Sequence, residues 1–220
     1  TEIYTLSLHD ALPICIINIK FDGSDSVNDM SHLKFMPHGL PGMVLIEPFK
    51  AGDSRGFFME TFQKVEFERA GLPVDFVQDN HSGSHGGILR GLHYQIKHPQ
   101  GKLVRVVIGE VFDVVVDLRK YSPTFGQWSG IRLTAQSPMV LWIPPGFAHG
   151  FYVVSDWAEF VYKTTDYYAP EWERTILWND PTLAIDWHIP DGISPILSTK
   201  DAAGSAFHEA DVYQEILEQP

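Results

Sequence analysis

The sequence predicts an all-β protein, a sandwich or barrel of short strands edged by a few helical turns. Three observations predict it. Apolar runs of about four to eight residues recur, with Gly, Pro, Asp or Ser between them. Residues 102–108 and 111–118 flank Gly109-Glu110, a two-residue hairpin signal. Helical periodicity is sustained only over residues 206–218, near the end of the chain. Such spacing, with almost no long helix, belongs to β-sandwiches and barrels rather than to layered α/β folds.

Taken in order, residues 1–42 hold no period of 2 or 3.6 and read as an N-terminal extension. Within them, Leu6-Ser7-Leu8-His9-Asp10-Ala11-Leu12-Pro13-Ile14 resembles translated sequencing-adapter DNA more than protein, so residues 1–14 are set aside from the fold as suspected artefact. A single domain then occupies residues 43–220. Residues 43–46 are β-rich and stop at Pro48. Asp53-Ser54-Arg55-Gly56 is a turn feeding residues 57–62. Residues 65–70 suit one or two helical turns, ended by Gly71 and Pro73. A strand over 74–79 and a flexible loop, Ser82-Gly83-Ser84-His85-Gly86-Gly87, follow. In 111–118, Val111, Asp113, Val115 and Asp117 share one face, and Phe112, Val114, Val116 and Leu118 the other. Placed this way, Asp113 and Asp117 are expected to face water. Strands at 131–135, 140–143, 150–154 and 159–164 and a C-terminal helix over 206–218 complete the prediction.

Composition narrows the function. With 16 Lys plus Arg against 28 Asp plus Glu, the 220-residue chain carries −12 at pH 7. That balance excludes general adhesion to nucleic acid or to an anionic membrane surface. An apolar content of 44% is far above that of a disordered chain. A chain this long buries roughly 70% of its unfolded surface and needs no disulfide or metal staple. Its single cysteine, Cys15, cannot pair internally, which fits a reducing compartment. No run approaches the roughly 18 apolar residues of a membrane span. The short apolar run at 11–17 follows His9 and Asp10 without a basic leader, unlike a signal peptide. A soluble, cytoplasmic protein is expected.

Four segments place polar groups in otherwise apolar strands: Phe76-Val77-Gln78-Asp79-Asn80-His81-Ser82, Leu89-Arg90-Gly91-Leu92-His93-Tyr94-Gln95, Pro144-Pro145-Gly146-Phe147-Ala148-His149-Gly150-Phe151 and Phe160-Val161-Tyr162-Lys163-Thr164-Thr165-Asp166-Tyr167-Tyr168. Singly, each has a structural explanation. A strand histidine is usually hydrogen-bonded scaffolding, Tyr162 a core residue with a satisfied hydroxyl, and Arg90 and Lys102 solvated charges. Together they are costly to desolvate unless a partner or ligand meets them. Metal binding is one reading: Pro144-x-Gly146-x-x-His149 resembles the second motif of the cupin superfamily of jelly-roll β-barrels. His93-Tyr94-Gln95 then offers one His and a Gln where that superfamily's first motif has His-x-His. Gln is a poor transition-metal ligand, and His81 and His85 lack a matching set. Nucleophilic catalysis finds no Gly-x-Ser-x-Gly elbow, and no Gly-rich phosphate loop is present. Proton transfer on a carbonyl compound needs a base, an acid on the opposite face and a cation for the enolate; His, Tyr and Lys or Arg supply all three types.

These motifs, with Asp53-Ser54-Arg55-Gly56-Phe57-Phe58-Met59-Glu60, Gln100-Gly101-Lys102-Leu103-Val104, Val111-Phe112-Asp113-Val114-Val115-Val116-Asp117-Leu118-Arg119, Ser122-Pro123-Thr124-Phe125-Gly126 and Trp178-Asn179-Asp180-Pro181, resemble the dTDP-4-dehydrorhamnose 3,5-epimerase family over about residues 43–204. The resemblance implies a metal-free cupin jelly roll without cofactor, usually a homodimer. Its substrate would be dTDP-4-dehydro-6-deoxy-D-glucose, inverted at C3 and C5 for L-rhamnose synthesis. It assigns His93 as base, Asp201 as its carboxylate partner, Tyr162 as acid and Lys102 as the cation beside the C4 oxygen. Arg55, Glu60, Gln78, Asp79, Asn80, Arg90, His149, Glu173 and Lys200 match ligand-contacting positions, and Tyr168 the aromatic stacked on thymine. Two features depart from the pattern: the long N-terminal tail, and the turn Ile96-Lys97-His98-Pro99 between base and lysine. The rivals are a single-centre epimerase or 3,4-ketoisomerase of the same nucleotide sugars, a metal-dependent cupin, and a non-catalytic sugar-nucleotide binder.

Overall fold

The computed structural model describes residues 32–217; residues 1–14 and Cys15 lie outside them. Among the described residues thirteen strands and two short α-helices follow one another. They are β1 (Leu33–Pro37), β2 (Val44–Pro48), β3 (Lys50–Asp53), β4 (Gly56–Met59), α1 (Lys64–Arg69), β5 (Gln78–His85), β6 (Leu89–Gln95) and β7 (Lys102–Ile108). After these come β8 (Glu110–Asp117), β9 (Trp128–Thr134), β10 (Val140–Ile143), β11 (Phe147–Val153), β12 (Trp157–Thr164), β13 (Glu173–Thr175) and α2 (Thr199–Ala202). A six-stranded sheet runs β1-β2-β10-β7-β12-β5 and a five-stranded sheet β13-β6-β11-β8-β9, while β3 and β4 form a separate hairpin. Every pairing of these strands is antiparallel. The all-β sandwich read from the sequence is the fold. No helix among the described residues is long and apolar enough to cross a membrane.

Three apolar layers hold it. The middle layer sets Val104, Val106, Leu141, Ile143 and Phe160 of the larger sheet against Val111, Val115, Leu133, Phe147 and Phe151 of the smaller. Outside the smaller sheet, Ile176, Leu183, Trp187 and Tyr213 cover Leu89, Leu92, Phe112, Val114 and Val116. Outside the larger, α1 buries Phe67 against Val44, Ile46 and Trp142. Both sheets are therefore covered on both faces, which is why β8, β10 and β11 are nearly continuous apolar runs.

Four expectations need correction. First, residues 102–108 and 111–118 are strands, but they form no hairpin: β7 pairs with β10 and β12, and β8 with β9 and β11. At Gly109 (φ +76°) an added Cβ would lie 2.0 Å from the Trp157 carbonyl oxygen, so the start of β12 fills the corner and the chain crosses to the other sheet. Second, Ser82–His85 is no loop but the second half of β5, paired with β12. The Trp157 indole lies over Gly83, supplying the cover that glycine lacks.

Third, the C-terminal helix is absent from the described part of 206–218. One 3₁₀ turn, Phe207–Glu209, is followed by extended chain. Tyr213 exchanges backbone hydrogen bonds with Leu118 and Lys120, and its hydroxyl donates to the Gln95 carbonyl at 2.5 Å. That tertiary pairing outweighs the local helical period. Fourth, β1 falls inside the stretch read as an extension, yet it pairs with β2 and buries Leu33 to 3% exposure. Truncating a buried leucine costs about 2–5 kcal/mol. Leu33→Ala is expected to lower stability in urea denaturation by that amount, whereas a leucine in an uncommitted tail would change nothing.

Candidate active site

The smaller sheet presents one half of the site through a break in strand alternation. Arg90 pairs with Phe151 and His93 with His149, so three steps along β6 oppose two along β11. Such a bulge re-aims side chains. Leu89, Leu92 and Tyr94 go to the outer layer, while His93 and Arg90 are left to the inter-sheet side. Glycines at 91 and 150 make room for it. A Cβ on Gly91 (φ +129°) would come 2.5 Å from the Gly150 Cα, and one on Gly150 would come 2.7 Å from the Arg90 carbonyl oxygen.

His93 is anchored from outside the sheet. Its Nε2 lies 2.5 Å from Asp201 Oδ1, and the Ser198 hydroxyl donates to Oδ2 at 2.7 Å. Ser198 also caps α2, accepting from the Asp201 backbone N–H. Burial works to raise the Asp201 carboxyl. Hydrogen bonds from His93 and Ser198, the His93 charge and the Gly91 N–H outweigh it and hold the carboxyl below its ordinary value. The carboxylate is therefore ionised, Nε2 carries the proton, and Nδ1 is the basic nitrogen. Beside this pair, Lys200 contacts Glu173 at 2.5 Å and the Tyr168 hydroxyl donates to Glu173 at 2.7 Å. That bond to the Glu173 carboxylate, with some burial, pushes the Tyr168 phenol up to about 12.

The larger sheet supplies the facing half. Tyr162 alternates with Phe160 on the middle-layer face of β12, and both pack there. Phe160 in turn stacks on His149 of the opposite sheet at 6.0 Å. Burial, then the Glu173 charge, raises the Tyr162 phenol against the opposing pull of Arg90, which keeps it a proton donor at neutral pH. Lys102 pairs with Thr164 two positions along the same sheet. Burial lowers its ammonium to about 8 with help from Lys200; Glu173 and Asp113 pull the other way. The turn at residues 96–99 carries the chain from one sheet to the other, so His93 and Lys102 stand on different sheets, each within electrostatic reach of Glu173. Gln78 and Asn80 lie on the Tyr162 face of β5 and are joined to each other at 2.9 Å.

Not every expected residue arrives there. Asp79 points to the other face of β5, where Lys163 donates to it at 2.9 Å. With Asn80, Tyr162 and Lys163, Asp79 lines a cavity of about 340 Å³ that Phe62 and Arg105 also border. Arg55 sits exposed at the β3–β4 turn, bound to Asp53 at 2.6 Å, and Glu60 follows at the hairpin's end. Gln95 is structural, its amide fastening the loop that carries Tyr168 through Tyr167 and Ala169. His81 pairs with Glu159 and His85 meets Trp157 edge to face. Among the described residues no three His, Cys, Asp or Glu side chains gather as metal ligands.

Two residues escaped the sequence reading. Ser198 is visible only as an N-cap once α2 exists. Asp113, expected to face water, is fully buried and 2.8 Å from His149 Nε2. Its signal was an aspartate inside a run of valines. Asp117 is likewise buried, held by Arg119, Ser122 and Thr124.

A β-sandwich with an imidazole–carboxylate pair on one sheet and a phenol with an ammonium on the other fits the class of proton-transferring isomerases. The comparisons make that specific. Residues 37–209 match the family model described as dTDP-4-dehydrorhamnose 3,5-epimerase. A dTDP-4-dehydrorhamnose 3,5-epimerase of Pseudomonas aeruginosa is 60% identical over 175 residues, 79% of this chain and 96% of that protein. One from Methanothermobacter thermautotrophicus is 48% identical over 184 residues, 84% of this chain and all of that one. A Legionella pneumophila dTDP-6-deoxy-D-glucose-3,5-epimerase, crystallised with dTDP-4-keto-L-rhamnose, superposes with a TM-score of 0.80 at 48% identity, covering 84% of this chain and 100% of that one. The chain belongs to the dTDP-4-dehydrorhamnose 3,5-epimerase family.

The depressed Lys102 ammonium is open to direct measurement. With the lysines carbon-13 labelled at Cε, one resonance is expected to titrate near pH 8, and Lys102→Gln should remove it. An unfolded lysine stays protonated to about 10.4. The unfolded chain therefore binds the extra proton between those values, and this group makes stability rise with pH across that window. A Lys102 midpoint above 10 would refute the buried placement.

Proposed function

We propose that the chain inverts C3 and C5 of dTDP-4-dehydro-6-deoxy-D-glucose to give dTDP-4-dehydro-β-L-rhamnose. One observation supports this reading: His93 lies on one sheet and Tyr162 with Lys102 on the other, and all three feel the charge of Glu173. The C4 ketone acidifies the C–H bonds at C3 and C5. His93, with Nε2–H held by Asp201, takes a proton through Nδ1. Charge moves to the C4 oxygen, where the Lys102 ammonium stabilises the enolate. Tyr162 then protonates the same carbon from the other side, which inverts it, and solvent exchange restores both groups. Arg90 and Lys200 add positive charge for the diphosphate, and exposed Tyr168 offers a ring face to the base. A cytoplasmic site of action suits an anionic nucleotide substrate and a lone cysteine.

The test is exchange in deuterium oxide, read by proton NMR of substrate and product. His93→Asn is expected to abolish incorporation at C3 and C5. Tyr162→Phe should keep abstraction yet lose inversion, mainly at C5. Normal exchange by His93→Asn would remove the base from the mechanism. A single-centre product is the second reading. It is favoured by similarity to a 3'-monoepimerase of Streptomyces bikiniensis at 35% identity and a TM-score of 0.73, over 78% of this chain and 87% of that one. The same spectra separate the two.

The reading extends to a homodimer. Arg55 and Glu60 lie on a hairpin outside their own cleft, and that hairpin exposes Phe57 to 61% and Phe58 to 75%. A second copy would bury those rings and receive Arg55 at its cleft. Sedimentation is expected to give a dimer, and Phe58→Asp a folded monomer with at least tenfold lower activity, on the order of a single lost anchor. A wild-type monomer of full activity would end this extension.

A further inference from the structure

A second imidazole–carboxylate pair stands beside the first. His149 lies directly across from His93 in the β11–β6 pairing, so both rings leave the sheet on the same side. Both use Nε2 toward a carboxylate, His93 toward Asp201 and His149 toward Asp113. The two carboxylates differ. Asp201 has both oxygens bonded, by His93 and Ser198. Asp113, on β8 and 0% exposed, gives Oδ2 to His149, while its buried Oδ1 has no partner. Such a group is costly in an apolar strand whose neighbours are Phe112 and Val114, and a valine would serve the packing better. Its charge is nevertheless felt in the cleft, where it acts on Lys102.

We propose that Asp113 is a positioning residue for the reaction: it holds His149 by Nε2–H, turns Nδ1 toward the cleft, and supplies the countercharge that lets His149 donate from Nδ1 to an anionic substrate oxygen. This rests on the epimerase reading for the substrate but not for the pair itself. The stack of Phe160 on the His149 ring leaves rotation as the remaining freedom, and the Asp113 bond removes it. The titratable and charged groups around the cleft are His93 and Arg90 from β6, Lys102 from β7, Tyr162 from β12, Glu173 from β13 and Lys200 with Asp201 from α2. Among these Asp113 is the carboxylate bonded to His149.

Two measurements test it. In the ligand-free protein, imidazole nitrogen-15 NMR should show His149 protonated at Nε2; a bare Nε2 overturns the proposal, whatever the protein's activity. In kinetics, Asp113→Asn is expected to lower kcat/KM about 10- to 100-fold, the scale of a misplaced contact. It should also move the alkaline limb to lower pH, because the Asp113 charge that supports the Lys102 ammonium is gone. In a His149→Asn background the same change should cost under about threefold, since coupled residues are not additive. An unmoved limb with additive losses would assign Asp113 to scaffolding alone. Should Asp113→Asn fail to fold, the nitrogen-15 spectrum of the wild type still decides. A wild type inactive on the nucleotide sugar would sink the epimerase reading and leave that spectrum to judge the pair.

Discussion

The site depends on one backbone constraint, the close approach of β6 and β11 at Gly91 and Gly150. A regular strand alternates its side chains, so residues three apart point to opposite faces. Arg90 and His93 are three apart, and Leu89 and Leu92 are also three apart. Only a strand with one residue too many against its neighbour can send the first pair inward and the second pair to the outer layer. The extra residue must fit where the two backbones nearly touch, and no side chain fits there. Catalytic placement and core packing thus share a single irregularity, and neither survives without it.

Burial of charge follows from that placement. A sandwich closed by apolar layers on both outer faces leaves the inter-sheet space as the region where these polar groups can meet a ligand. Among the described residues most charges there have a bonded answer. His93 has Asp201, His149 has Asp113 and Lys200 has Glu173. Among the described residues Lys102 has no bonded partner, only the fields of Glu173 and Asp113 working against its desolvation. An ammonium kept without a bonded acceptor is poised for an oxygen that the substrate brings, and it gains most when that oxygen becomes an enolate.

Much of this was legible in the chain because the informative residues violate local pattern. An arginine and a histidine among leucines, or a tyrosine beside a lysine in an apolar strand, announce themselves without coordinates, and β10, α1 and the β3–β4 turn follow from composition alone. What stayed hidden depends on partners distant in sequence. Gly109-Glu110 looks like a hairpin until Trp157 fills its corner. Gly83 looks like a loop until the same tryptophan covers it. Residues 206–217 carry a helical period that the pairing of Tyr213 with Leu118 and Lys120 overrides. Asp79 matched a ligand-contacting position by motif, but strand parity sends it to the Lys163 side.

The charge of the whole chain can now be set against the charge of its cleft. A protein of −12 repels an anionic nucleotide at long range. Salt screens that repulsion beyond about 8 Å, whereas groups inside a desolvated cleft are screened far less. In the proposed reading Arg90, Lys102, Lys200 and the two histidines are what the substrate meets once it enters, and Glu173 and the two aspartates keep them ordered while it is absent. Specificity resides in how closely a ligand's own negative oxygens replace the carboxylates that hold these cations in waiting.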